Sequence, residues 1–117
     1  MSGPKIKEVL QEKGSISDEL DFALVNFLIK NRGIGFTPCK PQLVKLEDGR
    51  EAIKVSIDNT FVNKENQLMG LGIVGKIYVD PETLNILYAT SKEEIEENIK
   101  KLEDRGFEPQ PRPKGKY

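Results

Sequence analysis

The residues with the most evident chemical potential lie together at Gly70-Leu71-Gly72-Ile73-Val74-Gly75-Lys76. The spacing Gly-x-Gly-x-x-Gly belongs to loops whose backbone amides cradle a pyrophosphate at a helix N-terminus. That chemistry needs a strand before the glycines and a helix directly after them. Here Ile77-Tyr78-Val79-Asp80-Pro81 follows, which reads as more strand and then a turn. A kinase-type glycine loop does sit in a hairpin, but its lysine strand comes after the loop. In this chain Ala52-Ile53-Lys54 comes before it, and no catalytic-loop motif is present. The glycines are therefore expected to serve a bulge, a bent strand or the close approach of the helix predicted over 18–31. Should the stretch bind a ligand, Gly70, Gly72, Gly75 and Lys76 are the contact residues. Lys76 with the neighbouring Lys54, Asp58 and Asp80 would then be the groups able to run acid–base chemistry once burial shifts their pKa values.

Other chemistries are harder to run. The chain has no histidine and a single cysteine, Cys39. Serine–histidine triads, cysteine–histidine pairs and the usual zinc ligand sets are therefore excluded. Lys40 and Arg32 could lower the thiol pKa of Cys39, but the residue reads as a small side chain in a loop. Glu93, Glu94, Glu96 and Glu97 could offer oxygens to a hard cation. Their pairing with Lys100 and Lys101 at i,i+4 instead predicts a solvated helix face. No metal and no cofactor is expected. Pro109 to Tyr117 holds three prolines with Arg112, Lys114 and Lys116. It reads as a disordered tail, 109–117, with weak and salt-sensitive attraction for phosphate.

The totals point the same way. A chain of 117 residues with 37% hydrophobic and 32% charged residues is one domain with a core of its own. Its net charge of −1 gives no bulk attraction to nucleic acid or anionic lipid. No stretch reaches the roughly 20 apolar residues of a membrane span, and no signal-peptide pattern stands at the N-terminus. One cysteine rules out an internal disulfide. These features favour the cytosol. Lysine and glutamate in excess, without tryptophan or histidine, lean towards a thermophile-like composition.

The elements that must position these residues follow from periodicity and punctuation. Residues 1–14 predict a short helix or mobile arm with Ile6, Val9 and Leu10 on one face. Ser17 caps a helix over 18–31 whose first turn is acidic and which Gly33 ends. Its apolar residues cover too much of the circumference for a one-sided surface helix. Phe22, Val25 and Ile29 are the expected interface residues. Pro38 and Pro41 predict a connector or edge strand. Asp48-Gly49 joins strands over 42–46 and 51–57, with Val44 opposite Ile53. A polar loop is expected over 58–67, anchored by Phe61 and Val62. A second hairpin turns at Asp80 to Thr83, setting Val79 opposite Leu84, Ile77 opposite Ile86 and Gly75 opposite Tyr88. Ser91 and Glu94 form a capping box for a last helix, which carries one narrow stripe of Ile95, Ile99 and Leu102 and stops at Gly106.

These elements predict an α+β domain over 1–108. It would have a four-stranded, mostly antiparallel sheet of two hairpins, helices on one face, a short N-terminal helix and a closing C-terminal helix. Gly75-Lys76-Ile77-Tyr78-Val79-Asp80-Pro81-Glu82-Thr83-Leu84-Asn85-Ile86-Leu87 resembles the strand and aspartate turn of PepSY-like modules, with Leu84 in place of their turn glycine. The resemblance implies an inhibitory or binding unit, not an enzyme. The expected function is thus a small, non-catalytic, cytosolic binding module that self-associates, a dimer being the first expectation, with a further protein partner conceivable. The alternative is a ligand- or nucleotide-binding domain or small enzyme built on Gly70–Gly75. A weak nucleic-acid binder ranks third.

Overall fold

Alternating β-branched residues in the middle of the chain produce two long strands, β3 (Glu51–Val62) and β4 (Leu68–Val79), and the sheet grows outward from this pair. The computed structural model describes residues 3–14, 16–106 and 108–111. Before β3 come β1 (Ile6–Glu12), α1 (Asp18–Asn31) and β2 (Phe36–Leu46); after β4 come β5 (Ile86–Ala89), α2 (Lys92–Asp104) and β6 (Gln110–Pro111). The sheet order is β1-β2-β3-β4-β5 and every pairing is antiparallel. β5 and β6 share the outer edge of β4, at Ile77–Val79 and Met69–Gly70 respectively. The α+β class holds, but the sheet has more strands than the four expected.

Register assigns the two faces. Ile53, Val55 and Ile57 stand opposite Val79, Ile77 and Gly75. Together with Val74 they form the core beneath Ile16, Leu20, Leu24 and Leu28 from the α1 region and Ile95 from α2. Both helices therefore cover one face. The other face carries a smaller cluster of Val44, Leu46, Ala52 and Tyr78, with Ile6 and Tyr88 against it.

The predicted N-terminal helix is instead the edge strand β1. Three apolar residues bury too little to hold an isolated helix, whereas β2 offers an unpaired ladder. Glu47 donates to the Lys5 carbonyl and Lys13 donates to that of Pro41, both at 3.0 Å. The helical spacing of Ile6 and Val9 has a different origin. Lys7 and Leu10 are extra residues in β1, so Ile6 opposite Leu46 and Val9 opposite Val44 share a face despite being three apart.

β2 runs through both prolines and lies between β1 and β3, so the exclusion of an inner strand is corrected. Thr60 donates to the Gly35 carbonyl. By alternation, Pro38 then turns its nitrogen away from β3, on a length of β2 that β1 does not reach. Pro41 follows Lys40, which has φ +53 within the bulge separating Cys39 from Gln42. Cys39 is consequently a buried strand residue opposite Ser56, not a loop residue.

Three further details differ from expectation. The first hairpin places Val44 opposite Ala52 and Leu43 opposite Ile53. Leu46 donates to the Arg50 carbonyl, and Gly49 has φ +92. The turn thus holds three residues, and the register slips by one. The polar loop shrinks to Asn63–Gln67, where the Asn63 carboxamide oxygen accepts from the Glu65 and Gln67 amides. Phe61 and Val62 are exposed strand residues, not anchors. The second hairpin has a longer connection, and Val79, Tyr78 and Ile77 face Ile86, Tyr88 and Ala89. Asp80 holds the Glu82 and Thr83 amides at 2.8 and 3.1 Å, and Leu84 takes φ +62. Of the tail expected to be disordered, Gln110 and Pro111 pair with Gly70 and Met69. The remainder of that expectation, residues 112–117, lies outside the described residues.

Candidate functional site

The glycine segment is strand throughout, and the next helix begins only at Lys92. Gly70 lies between Thr60 and Gln110, Gly72 opposite Asn59, and Gly75 opposite Ile57. Leu71 and Val74 are the extra residues of two bulges. These bulges break simple alternation, so Val74 turns into the core and Ile73 is exposed; Tyr88 pairs with Tyr78, not with Gly75, and so belongs to the opposite face. The Gly72 amide donates to Asp58 Oδ1 at 3.3 Å, and the Lys76 amide donates to Thr90 Oγ1 at 2.9 Å.

The glycines also admit α2, rather than α1 as expected. Gly72 has φ +135, and a Cβ there would lie 3.3 Å from Leu102. A Cβ at Gly75 would lie 3.0 Å from the Thr90 Cβ and 3.2 Å from the Ile57 Cδ1. Three polar residues complete the junction, of which the sequence pointed only to Arg32, and that towards Cys39. The Thr90 hydroxyl also donates to the Lys76 carbonyl, at 3.2 Å. The Asn98 side chain donates to the Val74 carbonyl at 2.8 Å, which satisfies the bulge. Arg32 Nε donates to the Thr90 carbonyl at 2.8 Å, tying the end of α1 to the start of α2. The signal for Asn98 was available, since it is a polar residue set on the Ile95–Leu102 stripe.

Beside this junction a cleft of about 330 Å³ is lined by Lys54, Ser56, Gly75, Lys76, Thr90 and Glu94, among others. The Lys76 ammonium stands 5.7 Å from the Tyr78 ring centre, and Tyr88 meets the same ring edge-on at 6.0 Å. Burial pushes the Tyr78 phenol above its ordinary range, and the neighbouring Tyr88 adds to this. The four candidate acid–base groups do not converge. Lys54 and Lys76 share the cleft, Asp58 is buried against the Gly72 amide, and Asp80 borders a separate hollow of about 470 Å³ with Arg50 and Glu82. The Glu82 amide, and then that of Thr83, hold the Asp80 carboxyl below the usual carboxylate range. Among the described residues no group of three or more His, Cys, Asp or Glu is placed to hold a metal ion. Among the described residues no helix is long and apolar enough to cross a membrane.

The second candidate is the outer side of α1. Ser17 Oγ accepts from the Leu20 amide at 3.3 Å, and the helix then presents Leu20, Leu24 and Leu28 to the sheet. Phe22 remains 71% exposed and Ile29 56%, with Val25 half-buried between them. At 100° per residue these three fall within about 60° of one another and about 130° round from the leucine stripe. They form an apolar strip along the helix in which the described domain leaves Phe22 and Ile29 largely exposed and covers Val25 in part. Compared with family models, with curated proteins and with solved structures, the chain matches none.

Proposed function

We propose that this chain is a small, non-catalytic binding module of the cytosol that associates with a second copy of itself through Phe22, Val25 and Ile29. The observation that supports this reading is the apolar patch on α1, which lies outside the core and needs no place there. Single exposed apolar side chains are ordinary on protein surfaces. Three at i, i+3 and i+7 on one helix are the pattern of a helix that packs twice. The resemblance to PepSY-like binding units points in the same direction. Light scattering coupled to size exclusion tests the reading. The chain should run as a dimer at high concentration and the Phe22→Ser variant as a monomer. A wild-type monomer up to about 1 mM, the weak end of specific binding, would remove the proposal.

The cleft beside Gly75 and Lys76 supports a second reading, as a site for a small anion held by Lys54 and Lys76. Thermal unfolding with added phosphate or nucleotides tests it. Stabilisation that disappears in Lys76→Met would favour it over the first.

A further inference from the structure

We infer that the two copies pair through α1 in antiparallel fashion, about a two-fold axis that passes close to Val25. This arrangement rests on the self-association reading above, and it follows from how charge is laid out around the apolar patch. The midpoint of Phe22 and Ile29 falls between Val25 and Asn26. An isologous contact centred there sets Phe22 against Ile29 of the second copy and brings the two Val25 side chains together across the axis. The first turn of α1 is acidic, with Asp18, Glu19 and Asp21, and its last turn carries Lys30. Glu19 and Lys30 lie on the same flank of the patch, about 20° apart round the helix. In a two-fold pair each flank meets the same flank of the other copy. Glu19 therefore comes within about two residues, roughly 3 Å along the axis, of Lys30 of the second copy. The pairing occurs twice in the dimer.

A parallel pair has its two-fold axis along the helices, which sets this flank against the opposite flank of the second copy, so Glu19 and Lys30 gain no such pairing, and it aligns the two helix dipoles unfavourably. An unrelated partner has no reason to match this patch, whereas the patch matches itself on inversion of direction. A net charge of only −1 adds little long-range repulsion between copies. A contact resting on one helix of 14 residues is small for a specific interface, so association should be weak and concentration-dependent.

Disulfide trapping of the full chain reads the geometry directly. Single variants Val25→Cys, Phe22→Cys and Ile29→Cys are oxidised at a concentration where light scattering shows the dimer, with wild type as the background for the buried Cys39. Val25→Cys should cross-link to itself. Phe22→Cys mixed with Ile29→Cys should give the mixed product. Phe22→Cys alone should not, because its two copies stand about seven residues, roughly 10 Å, apart along the axis, beyond disulfide reach. Self-linked Phe22→Cys at the yield of the mixture would overturn the antiparallel arrangement. So would a dimer in which none of the three cross-links. A monomer at every concentration would remove the self-association reading itself, and this arrangement with it. Charge exchange is the second measurement. Glu19→Lys and Lys30→Glu should each weaken the dimer roughly tenfold, and the double variant should recover most of that loss. Absence of recovery counts against the pairing.

Discussion

The two helices are nearly the same length, lie on the same face of the sheet and begin in the same way. Ser17 and Ser91 each accept an amide from the third residue of the helix, at 3.3 and 3.2 Å. Both first turns are acidic and both last turns carry a lysine. Their apolar content separates them. In α2 only Ile95 is fully buried, Ile99 and Leu102 pack beside it, and the other side chains are charged or polar. In α1 the leucine stripe does the same work on the core, yet Phe22, Val25 and Ile29 remain over. The fold of the domain accounts for every apolar residue of α2 and for about half of those of α1. A helix that exceeds the need of its own core is the feature of this molecule most in want of a function.

The comparison breaks most easily at the core. Leu24→Ala should destabilise the domain by about 3 kcal/mol, the usual range for a fully buried leucine being roughly 2–5 kcal/mol. Phe22→Ala should change the stability of the monomer by less than about 0.5 kcal/mol. Urea unfolding at low protein concentration measures both, and equal losses would show that Phe22 belongs to the core. The junction of α2 with β4 comes next. Gly72→Ala combines a left-handed backbone with a close approach to Leu102 and should lose about 1–3 kcal/mol.

Asn98→Ala should lose about 1–2 kcal/mol, since it leaves the Val74 carbonyl without its donor. Hydrogen exchange should then rise locally around residues 72–76. Ser17→Ala and Ser91→Ala should each lose about 1 kcal/mol. Near-equal losses in thermal unfolding would sharpen the view that the helices begin alike and differ only in their faces.

The smallest effect belongs to a turn. Asp80 has its pKa lowered on folding by the Glu82 and Thr83 amides. The stability it contributes is present above the unfolded value, about 3.9, and is lost as pH falls through the lower folded value. Asp80→Asn should therefore cost a little stability near neutrality, and the difference from wild type should vanish as pH falls below about 4, leaving a flatter acid limb.

Much of this was legible in the residues, and the misses share a pattern. The strand through Gly70–Gly75, both helix caps and the position of the Asp48-Gly49 turn were legible, but not the third residue of that turn. The exposed patch on α1 was legible as an excess of apolar residues, although not its position relative to the leucine stripe. The Thr90–Lys76 and Asn98–Val74 bonds were not legible, because they join residues 14 and 24 apart in the chain. Ile6 and Val9 misled because a bulged strand imitates helical spacing.

By itself the sequence determined the α+β class, the course of both helices and the ribbon through the glycines. Caps and tight turns are hydrogen bonds closed within three or four residues, so their chemistry is written locally. Only the tertiary structure decided that the N-terminal segment is a strand, that β6 joins β4, and where the bulges fall. Each of these depends on a partner strand distant in the chain, and a slip of one residue exchanges the two faces. The same reason explains why the glycines were expected under one helix and are found under the other: backbone space is claimed by whichever element the completed sheet brings across it.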